Sequence, residues 1–227
     1  MSENTKRTGS ETMNKKIVLP ELSDHIEETT HEHYIDGEDM IIESAHIKDC
    51  TISLSEIRLL ECYSVRFTNV VFLNGSLKNA YFKNVLFEKC EWINGEFSHS
   101  AMKSVQFKQC RLNGLLLSES TLEHVSFNDS MMTLSSFGYS TFKTVQFHQC
   151  QLSDTDLLEM TLKHVWFHSC NLNHARISQT SLKDVDISTS DFETLSINLE
   201  DIKGAIVNQS QALSFLKFLE LSITDEF

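Results

Sequence analysis

Counting in fives from Ile42 to Val207 meets 34 positions, and all 34 are hydrophobic with Cys62 included. The series runs through Phe67, Phe72, Leu77, Phe82, Phe87 and Trp92 to Ile197, Ile202 and Val207. In a chain that is 41% hydrophobic, independent placement would give this run with a probability on the order of 10⁻¹³, so the pentad is a structural repeat. The residue two places earlier obeys a second rule. Of 33 such sites from Ala45 to Ala205, 28 are Ala, Cys, Ser, Thr, Val or Gly, the exceptions being Leu60, Leu115, Met160, Leu195 and Glu200.

Side chains two apart point the same way from an extended chain. On a helix, five residues turn by about 500°, a net of about 140°, which would scatter the large residues around the axis. The chain must instead turn a corner every five residues, so that each large residue and its small neighbour face one interior. The letters also set the circuit. Val recurs at 65, 85, 105, 125, 145, 165 and 185, Phe at 67, 87, 107, 127, 147 and 167, and Cys at 90, 110, 150 and 170 with Ser130 and Ser190 in the same series. Like residues stack every 20, which is four pentads per coil and about eight coils at roughly 4.8 Å each.

The run Ser140-Thr-Phe-Lys-Thr-Val-Gln-Phe-His-Gln-Cys-Gln-Leu152 resembles the pentapeptide repeat family. That resemblance implies an all-β fold, a right-handed quadrilateral parallel β-helix whose bore is filled by the large residue and the small one two before it. Fold is what the repeat specifies; function belongs to the surface laid over it.

The ends break the pattern. Residues 1–16 are polar and charged and are expected to be a disordered tail. Residues 17–41, with Ile17-Val-Leu-Pro-Glu-Leu22 and the Asp36-Gly37 turn, are expected to cover the first coil, and 42–207 to form the β-helix. Residues 208–227 are read as a C-terminal helix, the only stretch of helical character, with Ser210 or Asn208 as N-cap. Its Ala212, Leu213, Phe215, Leu216, Phe218 and Leu219 leave more apolar surface than capping uses. Relatives of this kind often dimerise through this element, so these residues, Ala212 aside, are the candidates for a homodimer contact.

No 18-residue apolar run is present, and Met-Ser-Glu-Asn-Thr-Lys-Arg has no apolar core behind it; a cytoplasmic protein without signal peptide or membrane contact is expected. The series Cys50, Cys90, Cys110, Cys150 and Cys170 falls on small inward positions and Cys62 on a large one, so the thiols are read as reduced packing residues. His148 and His168 should stack outside, and His31 and His33 form an HxH, but no third ligand accompanies either pair. No nucleophile elbow, P-loop, zincin or dinucleotide motif occurs. No catalytic, cofactor or metal residue is therefore assigned, and an enzyme is not expected.

The formal charge is −13. Residues 1–39 hold ten acids and four bases, and 208–227 three acids and one base, leaving 19 acids and 14 bases on the cylinder. Lys83, Lys103, Lys143, Lys163, Lys183 and Lys203 share one outward position, interrupted only by Glu123. Such a row is either a solvated edge or a stripe for an acidic partner; direct nucleic-acid binding is not expected of so acidic a chain. Val71, Leu73 and Ile93 should form an outward apolar group, covered by the chain's own terminus or by a partner. Leu86, Leu116 and Trp166 project elsewhere, and Trp166 between His164 and His168 is the best single partner contact.

Some members of the family protect DNA gyrase and topoisomerase IV from quinolones, an antibiotic-resistance activity, and are thought to copy the shape and charge of B-form DNA. The resemblance thus implies a topoisomerase-binding DNA mimic. The other reading is a scaffold or adaptor whose partner is read by the acidic N-terminal segment or the Lys row.

Overall fold

The computed structural model describes residues 16–23, 26–93 and 95–216. Its main body is a parallel solenoid in which each residue pairs with the one 20 places on: Cys62 with Phe82, Phe82 with Met102, Leu122 with Phe142 and Phe147 with Phe167. Longer strands such as Thr121–Asn128, Thr141–His148 and Thr161–His168 run across one corner, and Leu59–Leu73 runs across more than one. The other two faces are joined largely by single bridges, including Glu91 to Arg111 to Met131 and Leu116 to Ser136 to Asp156.

All 34 large positions belong to the core, 30 of them buried and Leu162, Phe192, Ile202 and Val207 partly buried toward the C-terminal end. The six Phe residues from Phe67 to Phe167 form one continuous stack, with ring centroids 5.0, 4.8, 4.8, 4.9 and 4.9 Å apart and nearly parallel planes. The coil rise imposes this spacing, and it lies within the range that aromatic pairs favour. Trp92 stacks on Phe72 at 3.8 Å and meets Phe97 edge-on at 4.5 Å, filling the bore so fully that the cavity beside it is only ≈ 10 Å³. Its Nε1–H is buried without an acceptor.

Several sequence expectations change here. The small-residue rule fails at Ser55, which is exposed in the turn before Leu59, and Cys50 is only half-buried. Helical backbone is not confined to the last segment, since His31–Tyr34 forms a 3-10 turn and Leu199–Ile202 (α1) replaces the last strand. In α1 the small position is held by exposed Glu200, and without a small inward residue the pentad has nothing to hold it extended.

The N-terminal cap is built by residues 26–43. Glu27–Glu28 pairs with Ala45 and His46, while Ile35–Asp36 turns through Gly37 (φ 61) onto Asp39–Glu43. This places Met40 wholly inside and Tyr34 against the core. Residues 16–23 do not cover the bore as expected. They lie outside it, with Leu22 and Ser23 by His46 and Arg66 and the Val18 N–H donating to His124 Nδ1 at 3.3 Å. The expected tail at 1–16 falls outside the described residues except for Lys16.

At the other end Gln209–Phe215 (α2) closes the bore. Asn208 is its N-cap, its side chain accepting from the Gln211 N–H while Gln211 Oε1 accepts from the Asn208 N–H. Gln211 is buried, and its Nε2 donates to the Ile187 and Ser190 carbonyls at 2.9 and 2.7 Å. One side chain thus ties the helix to two carbonyls of the last coil, that of Ser190 and that of Ile187, which also accepts from the Ser190 N–H.

Candidate partner-binding surface

With the bore filled, chemistry can reside only on the three outward positions of each pentad. One of these has an unforeseen conformation: the residue two after each large position is left-handed at nearly every described corner, with φ from 48° at Ser44 to 78° at Gly204. Asn, Asp and Gly tolerate this region best, and Asn69, Asn74, Asn79, Asn84, Asp129 and Gly114 follow that rule. Leu134 and Tyr139 do not. They sit at successive left-handed corners, with φ of 62° and 61°, and are 66% and 54% exposed. A large apolar residue at an αL corner was the signal available in the sequence, hidden because nothing there marks the corner.

The Lys row exists as expected, with Lys83 beside Lys103 and Lys143 beside Lys163 in neighbouring strands. It is partly neutralised from within. Glu123 stands between Lys103 and Lys143 and forms an ion pair with Lys143, whose hydrogen bond, aided by both lysine charges, lowers the Glu123 carboxyl from its ordinary value. Lys203 is paired with Glu200 at 2.8 Å. Lys163 and Lys183 are exposed between these pairs.

Trp166 is half-buried rather than projecting, in register with Gln146 and Asp186. His148 and His168 are neighbours on the same face. Leu86 is also half-buried. Val71 and Leu73 are half-buried and Ile93 is 39% exposed, Leu73 and Ile93 being direct strand partners. The described N-terminal segment lies by His46, Arg66 and His124, rows that belong to other faces, so the expected cover over Val71, Leu73 and Ile93 is not what this segment provides.

Of the dimer candidates, Leu213 is 54% exposed on α2, Leu216 is half-buried, and Phe215 turns inward onto Phe192 with ring centroids 5.6 Å apart. Phe215 is thereby occupied by the core. Phe218 and Leu219 lie outside the described residues.

All six thiols are free, and five of them are buried. Burial pushes the Cys62 thiol up; Cys110 and Cys150 are pushed up first by hydrogen bonding with Cys90 and Cys170 and then by burial. Cys110 Sγ donates to the Lys108 carbonyl at 3.3 Å, as Ser130 Oγ does to the Asn128 carbonyl at 2.9 Å one coil on. Among the described residues no group of three or more His, Cys, Asp or Glu could hold a metal ion, and no helix is long and apolar enough to cross a membrane.

Charge is polarised along the rod. Residues 42–150 hold ten acids and ten bases, whereas 151–207 hold nine acids and four bases, so the entire −5 of the cylinder sits in its C-terminal coils. Three of these nine acids are in ion pairs, Asp154 with His174, Asp156 with Arg176 and Glu200 with Lys203.

A family model described as "Pentapeptide repeat region" matches residues 60–137 and 140–214. Among solved structures the chain is similar to a trypsin-treated form of QnrB1, a plasmid-mediated fluoroquinolone resistance protein, at 16% identity, TM-score 0.38, over 87% of this chain and 95% of that one. Full-length QnrB1 gives 15% identity and TM-score 0.35 over 86% and 95%. HetL, a pentapeptide repeat protein involved in heterocyst differentiation regulation from the cyanobacterium Nostoc, gives 10% and 0.33 over 74% and 85%. No curated protein matches the chain in sequence.

Proposed function

This chain belongs to the pentapeptide repeat family, and from that premise we propose that it acts without catalysis, by presenting its outer faces to a protein partner. The observation that carries this reading is the filled bore: the large residues of all pentads are core, which leaves the variable positions outside as the means of recognition.

The specific form of the proposal is a DNA-shape mimic that binds bacterial type II topoisomerase and modulates it or protects it from quinolone-type inhibitors. Charge polarity supports it. An end-to-end homodimer through the C-terminal helix, with Leu213 supplying exposed apolar surface, would bring the two acidic coil blocks together at the centre of a rod of roughly twice 40 Å. Such a rod offers a central acidic stretch to a groove built for DNA.

The experiment is a gyrase supercoiling assay with and without fluoroquinolone, run alongside light scattering. Inhibition of supercoiling or protection from the drug at micromolar protein is expected, with a dimeric mass that Leu213→Glu reduces to a monomer. Neither effect on gyrase sinks the topoisomerase reading. A monomer at tens of micromolar sinks the dimer.

The second reading is an adaptor that uses the Lys row or the acidic N-terminal segment. What favours it is the exposure of Lys163 and Lys183 between the Glu123 and Glu200 pairs. Lys143, Lys163 and Lys183 with Trp166 would form its contact, and Val71, Leu73 and Ile93 a second one on another face.

A further inference from the structure

We infer that the face between the Leu134 and Tyr139 corners is a docking surface for a protein segment with an apolar centre and basic flanks. The inference rests on the reading of this chain as a protein-interaction rod and names the partner's chemistry. Residues 131–140 contain no charged side chain. Leu134 and Tyr139 project from them at 66% and 54% exposure, and Leu116, paired with Ser136 from the preceding coil, adds 40%; Met131, 44% exposed, lies on the neighbouring face in line with Arg111 and Gln151. Between the two projecting corners the face carries only Ser136 and Gly138 on its outer positions, and a Cβ added at Gly138 would be in ordinary contact with the Leu158 carbonyl at 3.6 Å. The surface is therefore a shallow trough with apolar rims.

Two costs coincide here. An L-residue other than Gly, Asn or Asp loses roughly 1–2 kcal/mol at a left-handed corner, and large exposed apolar side chains gathered on one face invite association. Elsewhere the described left-handed corners hold small, polar or charged residues; Leu134 and Tyr139 are the large apolar and aromatic exceptions. Left-handed backbone is shared by polar corners such as Gln109 and Thr144; what sets Leu134 and Tyr139 apart is the apolar and aromatic bulk exposed there, since neither side chain contributes to the core.

Charge decides the occupant. Glu119 lies on the N-terminal side of the trough, one coil before Tyr139, and Asp154, Asp156 and Glu159 lie on the C-terminal side, one coil after Leu134, Ser136 and Tyr139. Glu119 and Asp154 lie beside His99 and His174 at 3.4 and 3.5 Å and Asp156 pairs with Arg176 at 3.2 Å, while Glu159 is in no ion pair among the described residues. A second copy would bring the same acids against these, at a chain charge of −13. A segment with Lys or Arg on both sides of an apolar centre matches the frame instead.

The test uses the whole protein and a fluorescein-labelled peptide with a Leu/Ala centre and Lys pairs at both ends, against the same peptide flanked by Glu, read by anisotropy. The Lys-flanked peptide is expected to bind at least tenfold more tightly than the Glu-flanked one, and L134N with Y139N to weaken it at least tenfold. Asn relieves both corners, so the thermal midpoint of that variant should stay or rise, which separates lost contact from lost fold. T121A, exposed on another face, should leave peptide binding unchanged. Equal binding of the two peptides, or full binding by the double variant, overturns the inference; so does a dimer that L134N with Y139N splits, which would make this face a contact between copies. The gyrase assay reads none of these variables, so its failure and this one are distinguishable.

Discussion

Gly95 and Leu115 share one inward place in successive coils: a Cβ on Gly95 would lie 3.0 Å from Leu115 Cδ1, 3.3 Å from Phe97 Cε2 and 3.4 Å from Trp92 Cβ. Leu115 breaks the small-residue rule, and its neighbour one coil earlier yields the space. Leu54 and Gly75 repeat the arrangement at 2.9 Å. Gly95→Ala is expected to cost about 1–3 kcal/mol, because three packed side chains cannot all retreat. Leu115→Ala in the Gly95→Ala background should cost less than Leu115→Ala alone, and urea unfolding of all three variants checks the coupling.

Phe107 and Phe127 are stacked at 4.8 Å and almost fully buried. Replacing either by Ala should remove about 3–5 kcal/mol, since the coils above and below are held apart by strand pairing and cannot close the gap. Reversible denaturation measures it. A loss under about 1 kcal/mol would contradict the continuous stack.

Cys110 donates to the carbonyl two residues before it, as Ser130 does in the same row. Cys110→Ser should therefore be tolerated within about 1 kcal/mol, the new hydroxyl finding an acceptor already in place. Native protein should react slowly with a thiol reagent at neutral pH, because burial at Cys62, and hydrogen bonding with Cys90 together with burial at Cys110, keep these thiols protonated and out of reach. Rapid labelling of several thiols before unfolding would refute this.

Glu123 has its folded carboxyl pKa lowered by Lys143 and then by Lys103. The sign follows from linkage: a depressed acid contributes stability above its unfolded pKa and loses that contribution as pH falls through the folded value. Stability should drop on acidification below about pH 4.5, and Glu123→Gln should flatten that part of the profile by a few tenths of a kcal/mol, as befits a solvent-exposed pair. Denaturation midpoints between pH 3 and pH 7 compare the two.

The pentad ladder made the solenoid legible from letters alone, because burial in a narrow bore restricts residue type at two of every five positions and stacking makes like residues recur at 20. A helical start after the ladder ends was legible too, with Asn208 among its N-cap candidates. What the sequence could not disclose depends on proximity it does not encode locally. The Gly95 and Leu115 exchange joins residues a full coil apart; Gln211 reaches back to the Ile187 and Ser190 carbonyls; Val18 meets His124 across several coils. Leu134 and Tyr139 stand out only once the corner is known to be left-handed. The Lys row broken by Glu123 and the acidic C-terminal coils could be counted from the letters, but outward residues answer to no packing rule, so which of them are half-buried, paired or exposed was decided by how the coils stack. Inward residues carry the repeat because every coil imposes the same bore on them.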